Sequence, residues 1–125
     1  MRSKEGLKQE FKSRIYKYIL RLIKFLSKFP KNPVTIRIIN QLTGSGTSIG
    51  ANYFEAQGAS SKKDYLKFFS ICLKSANETK FWLILLLDSK LVPKDLEKEC
   101  KWLLEETKEL ANIFASSILT MKGKK

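Results

Sequence analysis

The sequence contains no histidine, only two cysteines and three prolines, and half as many acidic as basic residues. Without imidazole, the commonest acid/base group near neutral pH is missing, and so are the Glu-x-x-His motifs of di-iron helical bundles. Two thiols with no histidine make no plausible zinc site, so neither a metal nor a cofactor is expected. Cys72 and Cys100 each fall on an apolar helical stripe, which reads as buried free thiols of a reducing compartment rather than a disulfide framework. The most apolar run, Phe81 to Leu87, is far shorter than the ~20 residues that span a bilayer, and the opening MRSKEGLKQEFKSR is too charged for a signal peptide. A cytoplasmic protein with no membrane segment is the expectation. Asn-Gly and Asp-Gly hairpin signals and period-2 stretches are also missing, which excludes strands and leaves an all-α chain.

What is present is helical periodicity over 125 residues, 43% of them hydrophobic, enough for one domain with one core. In the first segment, about 5–29, Leu7, Phe11, Ile15, Tyr18, Ile19, Leu22, Leu26 and Phe29 recur at three- and four-residue steps, and Pro30 ends the helix. Asn32 is a good N-cap and Pro33 suits the first helical position of a second helix over about 33–58, with Val34, Ile38, Ile39, Leu42, Ile49, Tyr53 and Ala56 as its apolar face. Gly44 and Gly46 inside it imply close helix approach or a kink. Ser61-Lys62-Lys63-Asp64 matches a capping box and opens a third helix over about 62–90. Pro93 starts the fourth, over about 93–121, with Leu96, Cys100, Leu103, Leu104, Leu110, Ala111, Phe114 and Ile118 inward and a Lys-rich tail after it. Short connections between long helices predict an antiparallel up-down-up-down four-helix bundle.

The charge of +12 and a pI near 9.8 favour polyanionic partners. The surplus is concentrated, because residues 1–31 hold ten Lys or Arg against two Glu, and no acidic residue lies between Glu10 and Glu55. At about 100° per residue, Arg14, Lys17, Arg21, Lys24, Lys28 and Lys31 project together, away from the apolar stripe. If all six met phosphates on duplex DNA, log affinity would fall against log salt with a slope of about −5. An ordinary solvated face normally mixes signs. A basic amphipathic helix also suits an anionic membrane, but here its apolar side is needed for the core, so no membrane partner is expected.

A second pattern runs along the second helix, where Gln41, Ser45, Ser48, Asn52 and Glu55 step by four, three, four and three residues beside the apolar face. Asn77, Glu78 and Thr79 of the third helix are candidate partners in a network that sets helix register or forms a subunit contact; a ligand groove is the competing reading. The run Phe81-Trp82-Leu83-Ile84-Leu85-Leu86-Leu87 is apolar around the whole helix, more than one small bundle can bury. Phe81, Trp82 and Leu85 are therefore expected at a homo-oligomer interface. Trp102 projects away from the fourth stripe. Enzyme chemistry has little support, since Gly44-Ser45-Gly46 lacks the spacing of a phosphate loop and nothing beside Glu55 or Glu78 completes a nucleophile or metal site.

The strings Thr47-Ser48-Ile49-Gly50-Ala51-Asn52-Tyr53-Phe54-Glu55-Ala56, Ser61-Lys62-Lys63-Asp64-Tyr65 and Ser70-Ile71-Cys72-Leu73-Lys74-Ser75-Ala76-Asn77-Glu78-Thr79-Lys80-Phe81-Trp82-Leu83 resemble the bacterial four helix bundle protein family. Its members are also called 23S rRNA intervening-sequence proteins. The resemblance implies an antiparallel bundle assembled into a homopentameric ring. It is also distantly similar to accessory proteins of diversity-generating retroelements, which bind nucleic acid and a reverse transcriptase. The family signature Ser-Ile-x-x-Asn-x-x-Glu falls on Ser48, Ile49, Asn52 and Glu55, while an Arg that relatives often carry shortly before it is replaced by Gly44. That departure moves the expected basic surface to the first helix. The function expected is a non-enzymatic homo-oligomeric accessory protein that binds RNA or DNA through Arg14, Lys17, Arg21, Lys24, Lys28 and Lys31 without sequence-specific readout. The alternative is an oligomeric scaffold that recruits an acidic protein partner.

Overall fold

Four capping and turn signals divide the chain into helices, and the computed structural model, which describes residues 3–123, shows them at work. The helices are α1 (Lys4–Leu26), α2 (Pro33–Gln57), α3 (Lys62–Asp88) and α4 (Glu97–Met121), and a 3₁₀ turn, Lys94–Leu96, precedes the last. Among the described residues there is no strand, so the chain is all-α, consistent with a four-helix bundle. Lys124 and Lys125 of the expected Lys-rich tail lie outside the described residues, as do Met1 and Arg2.

Each of the first three helices opens on a side chain that accepts from an otherwise orphaned backbone N–H. Ser3 Oγ takes Gly6 N–H at 3.0 Å, Asn32 Oδ1 takes Thr35 N–H at 2.9 Å, and Ser61 Oγ takes Asp64 N–H at 3.1 Å. Two boundaries differ from the sequence expectation. Helix α1 stops at Leu26 and not near Phe29, because Ser27 closes it and Pro30 disfavours a helical conformation in the residue before it. Phe29 still packs its ring edge-on against Phe25, at 5.0 Å between centroids. Pro93 is not the first residue of a continuous helix; its backbone is extended, its carbonyl accepts from Leu96 N–H, and α4 begins at Glu97.

The core is one continuous cluster drawn from all four helices, with Ile15, Leu22, Leu42, Ile49, Leu83 and Phe114 among its fully buried members. Helix α3 packs along α2 and α4, and α1 packs on the same two helices. Two glycines permit the closest approach of α1 to α2. A Cβ on Gly46 would meet Leu22 and one on Gly50 would meet Ile19, each at 2.2 Å, whereas Gly44 faces open space. Of the two sequence alternatives for these glycines, the structure adopts close approach, and α2 runs unbroken. Two expected core residues are misplaced: Leu7 is 50% exposed at the open end of α1 and Val34, in the first turn of α2, is 61% exposed.

Candidate nucleic-acid interface

Of the six predicted cations Arg14, Lys17, Arg21 and Lys24 stand on α1, whereas Lys28 and Lys31 fall beyond its end at Leu26, which corrects the expectation of one six-membered helical ridge; the two arginines face α4, which is acidic. Arg14 donates through Nε and Nη2 to the two Glu106 oxygens, at 2.8 and 2.9 Å, and its Nη2 lies 3.3 Å from Glu109. One turn pair further on, Arg21 repeats the fork on Glu99 at 2.6 and 2.9 Å. Its guanidinium also lies 3.5 Å from the centroid of the Trp102 ring. The hydrogen bond that Arg14 donates to Glu106 holds its pKa above its ordinary value against desolvation, and the one to Glu99 does the same for Arg21. Beneath this seam Thr107 gives its proton to the Leu103 carbonyl, so the buried Tyr18 hydroxyl is the donor to Thr107 Oγ1.

The six cations therefore separate into two kinds. Arg14 and Arg21 are tied down in charge-assisted forks between helices. Lys17, Lys24, Lys28 and Lys31 are exposed and meet no carboxylate among the described residues. The expectation of six equivalent cations pointing away from the fold is corrected to four lysines beside a neutralised seam. The physical reason is the acid supply of α4, where Glu99, Glu106 and Glu109 stand opposite a helix short of acids of its own. Arg37, the one cation of α2, is exposed beside Trp82 and was missed; its isolation in an otherwise uncharged stretch was the available signal.

The polar edge of α2 resolves into an inner and an outer part. Ser45 and Thr79 hydroxyls hydrogen-bond at 2.8 Å, Ser75 Oγ donates to Ser48 Oγ at 2.8 Å, and Asn52 Nδ2 donates to Ser48 Oγ at 3.0 Å. Thr79 was an anticipated partner and Ser75 was not. Asn77 stays exposed outside the network, and Glu78 accepts from Trp82 Nε1 at 3.4 Å instead. Gln41 and Glu78, with Ser45, Ser48 and Ser75, line a shallow groove of about 410 Å3 between α2 and α3. Glu55 is exposed and takes no part.

The apolar run of α3 is covered only in part by the chain's own fold. Leu83 and Leu86 are fully buried and Trp82, Leu85 and Leu87 are half-buried, which leaves Phe81 at 56% and Ile84 at 40% exposure. As expected of a run that is apolar all round, one chain does not bury every side of it: the core takes Leu83 and Leu86 and leaves the Phe81 and Ile84 side open. Phe81 packs edge-on against Trp82 at 4.9 Å. A second exposed apolar strip, Tyr16, Leu20 and Ile23 of α1, escaped the sequence reading because it lies outside the main stripe of that helix. Both cysteines are buried and free, and burial pushes each thiol up to about 12. No described helix is long and apolar enough to cross a membrane.

A four-helix, all-α protein with an ion-paired seam and an unpaired lysine flank is the class these features define. The chain belongs to the 23S rRNA-intervening sequence protein family, whose pattern matches residues 8–116. Its fold is similar to the crystal structure of a protein of unknown function from the S23 ribosomal protein family of Bacteroides thetaiotaomicron VPI-5482. The two are 32% identical with a TM-score of 0.73, over 86% of this chain and 96% of the other. No curated protein matches the chain.

Proposed function

We propose that the protein is a non-enzymatic, cytoplasmic accessory protein that binds RNA or DNA through the phosphates, with Lys17, Lys24, Lys28 and Lys31 as the contacting groups and no base-specific readout. The observation that carries this reading is the separation among these cations: the two arginines are consumed by α4 glutamates while Lys17 and Lys24 of α1, and Lys28 and Lys31 just beyond it, keep their charge for a partner. Flexible ammonium groups suit the irregular spacing of a phosphate backbone, and such contacts position a nucleic acid without reading its bases. The test is the affinity for RNA and for duplex DNA as a function of salt, with the four lysines reversed to glutamate. Binding undetectable at low salt, or unchanged in the reversed variant, removes the proposal. An acidic protein partner is the competing occupant, and nuclease treatment of a host pull-down separates the two, since it releases only partners held through RNA or DNA.

The same proposal includes an antiparallel up-down-up-down bundle assembled into a homo-oligomeric ring, pentameric as the family resemblance implies. Paired contacts support the antiparallel order: Arg14 meets Glu106 while Arg21 meets Glu99, and Ser45 meets Thr79 while Ser48 meets Ser75. Exposed apolar residues on two helices that share neighbours, Phe81 and Ile84 on α3 and Tyr16, Leu20 and Ile23 on α1, suit the two unlike faces of a head-to-tail ring. A stable monomer by light scattering at micromolar concentration excludes the ring.

A further inference from the structure

At the end of the fold where α1 and α3 begin and α2 and α4 finish, the helices line an open pocket of about 590 Å3, within the range of about 300–1,000 Å3 that holds small organic ligands. Its walls are apolar, with Phe11, Phe69, Ile113 and Met121 facing one another across it. Leu7 stands on its lip, half-exposed although the periodicity of α1 directs it inward.

On the α4 side Ser116, Ser117 and Thr120 give the pocket a polar edge, and the other polar groups come from the remaining helices. Tyr53 lines it and is only 3% exposed, yet its hydroxyl has no hydrogen-bond partner among the described residues. That hydroxyl is not sealed in the core, where Thr35 Oγ1 is the one buried side-chain oxygen without a partner among the described residues, so it opens on the cavity. The Tyr53 ring is buried while its hydroxyl meets the open space, so the oxygen is held in place with its hydrogen-bonding capacity unused by the protein and available to a ligand atom. Burial also pushes the Tyr53 pKa up to about 12, which keeps it a neutral donor at physiological pH. Tyr65, stacked on Phe69 at 4.7 Å, adds a second phenol. At the mouth stand Lys4 and Lys8 against one carboxylate, Glu5.

We propose that this cavity binds a small amphipathic organic anion, with an apolar body of about ten carbons between Phe11, Phe69 and Ile113, a hydrogen bond from Tyr53, and a carboxylate or similar head at Lys4 and Lys8. The body is acyl or aromatic, since aliphatic and aromatic walls are both present. The site is independent of the nucleic-acid proposal, because it uses neither the lysine flank nor the α1–α4 seam.

The experiment titrates the full chain with the fluorescent probe 8-anilinonaphthalene-1-sulfonate and then displaces it with decanoate, 2-naphthoate or decan-1-ol. One saturable probe site per chain is expected, displaced by at least one of the two carboxylates, the stronger of which identifies the body. The alcohol, which has no charge for the lysines, is expected to compete about tenfold less well. Tyr53→Phe should weaken carboxylate binding about three- to tenfold, and Ile113→Trp, which fills the cavity, should abolish it. Lys4→Glu with Lys8→Glu, both exposed and harmless to the core, should weaken it as well. The proposal is overturned by the absence of a saturable site, by failure of both carboxylates to compete, or by an alcohol that competes equally. Unchanged affinity in the double lysine variant, or in a folded Ile113→Trp protein, overturns it too.

Discussion

Gly46 of α2 lies so close under Leu22 of α1 that a Cβ on the glycine would come within 2.2 Å of the leucine Cδ2. Leu22 is fully buried and held on all sides, so its terminal methyl has little room to withdraw. At Gly50 the opposing atom belongs to Ile19, which is only half-buried and has more freedom to turn away.

Alanine at three glycines of one helix should therefore give three outcomes. Gly44→Ala, facing open space, should stabilise the protein by about 0.5–1 kcal/mol through helix propensity alone. Gly46→Ala should cost about 1 kcal/mol net, because overpacking a core outweighs the same propensity gain. Gly50→Ala should fall between them. Urea unfolding of the three variants measures the order, and a destabilising Gly44→Ala contradicts the open position.

Beyond the end of α3 at Asp88, Lys90 turns the chain at φ 58°, the left-handed region, with Leu91 N–H on the Leu86 carbonyl and Lys90 N–H on the Leu87 carbonyl. This is a Schellman cap with a lysine where glycine is favoured. Lys90→Gly should raise stability by about 1 kcal/mol, read as an upward shift of the thermal midpoint.

The two arginine forks are not equivalent. Glu106 is more enclosed than Glu99, and Arg14 also meets Glu109, so a double-mutant cycle should give a coupling of about 1 kcal/mol for Arg14–Glu106 and a smaller one for Arg21–Glu99. Equal couplings would mean that burial of the carboxylate does not matter here.

Stability should fall at alkaline pH. The thiols of Cys72 and Cys100 ordinarily ionise near 9.0, but burial raises both to about 12 in the folded chain. Between those values the unfolded chain has released protons that the folded chain retains, so stability is complete below pH 9 and declines as pH rises toward 12. At pH 10.5 the loss is about 2 kcal/mol per thiol. Urea unfolding measures it: Cys72→Ala with Cys100→Ala should remove the decline between pH 9 and 10 and leave the smaller one above pH 10 that buried Tyr18 and Tyr53, also raised above their ordinary values, contribute.

Salt dependence distinguishes four phosphate contacts from six. Duplex affinity should fall against salt with a log–log slope of about −3.6 if only the four unpaired lysines act, and of about −5.4 if both arginines leave their glutamates to join them. Glu99→Gln with Glu106→Gln, which weakens the forks, should then steepen the slope.

Most of the helical layout was legible before folding. Asn32-Pro33 and Ser61 through Asp64 are local signals, and the structure uses the caps as written because capping needs only residues three or four apart. The ends of α1 and the start of α4 were less legible, since Pro30 and Pro93 mark a boundary without saying on which side the last turn closes. At the candidate site the six cations were found, but their division into bound and free was not. Glu106 lies 92 residues from Arg14 and no periodicity connects them. Ser75 and Leu7 were missed for the same reason: one gained and the other lost a neighbour on a different helix.

By itself the sequence determined the all-α class, the approximate helices, the buried thiols and the family, all of which follow from local chemistry or from strings of adjacent residues. Only the tertiary structure decided which charges are spent, which apolar residues stay exposed and where a cavity opens. Each of these depends on what a second helix places opposite a side chain, and pairing between distant segments is settled by packing.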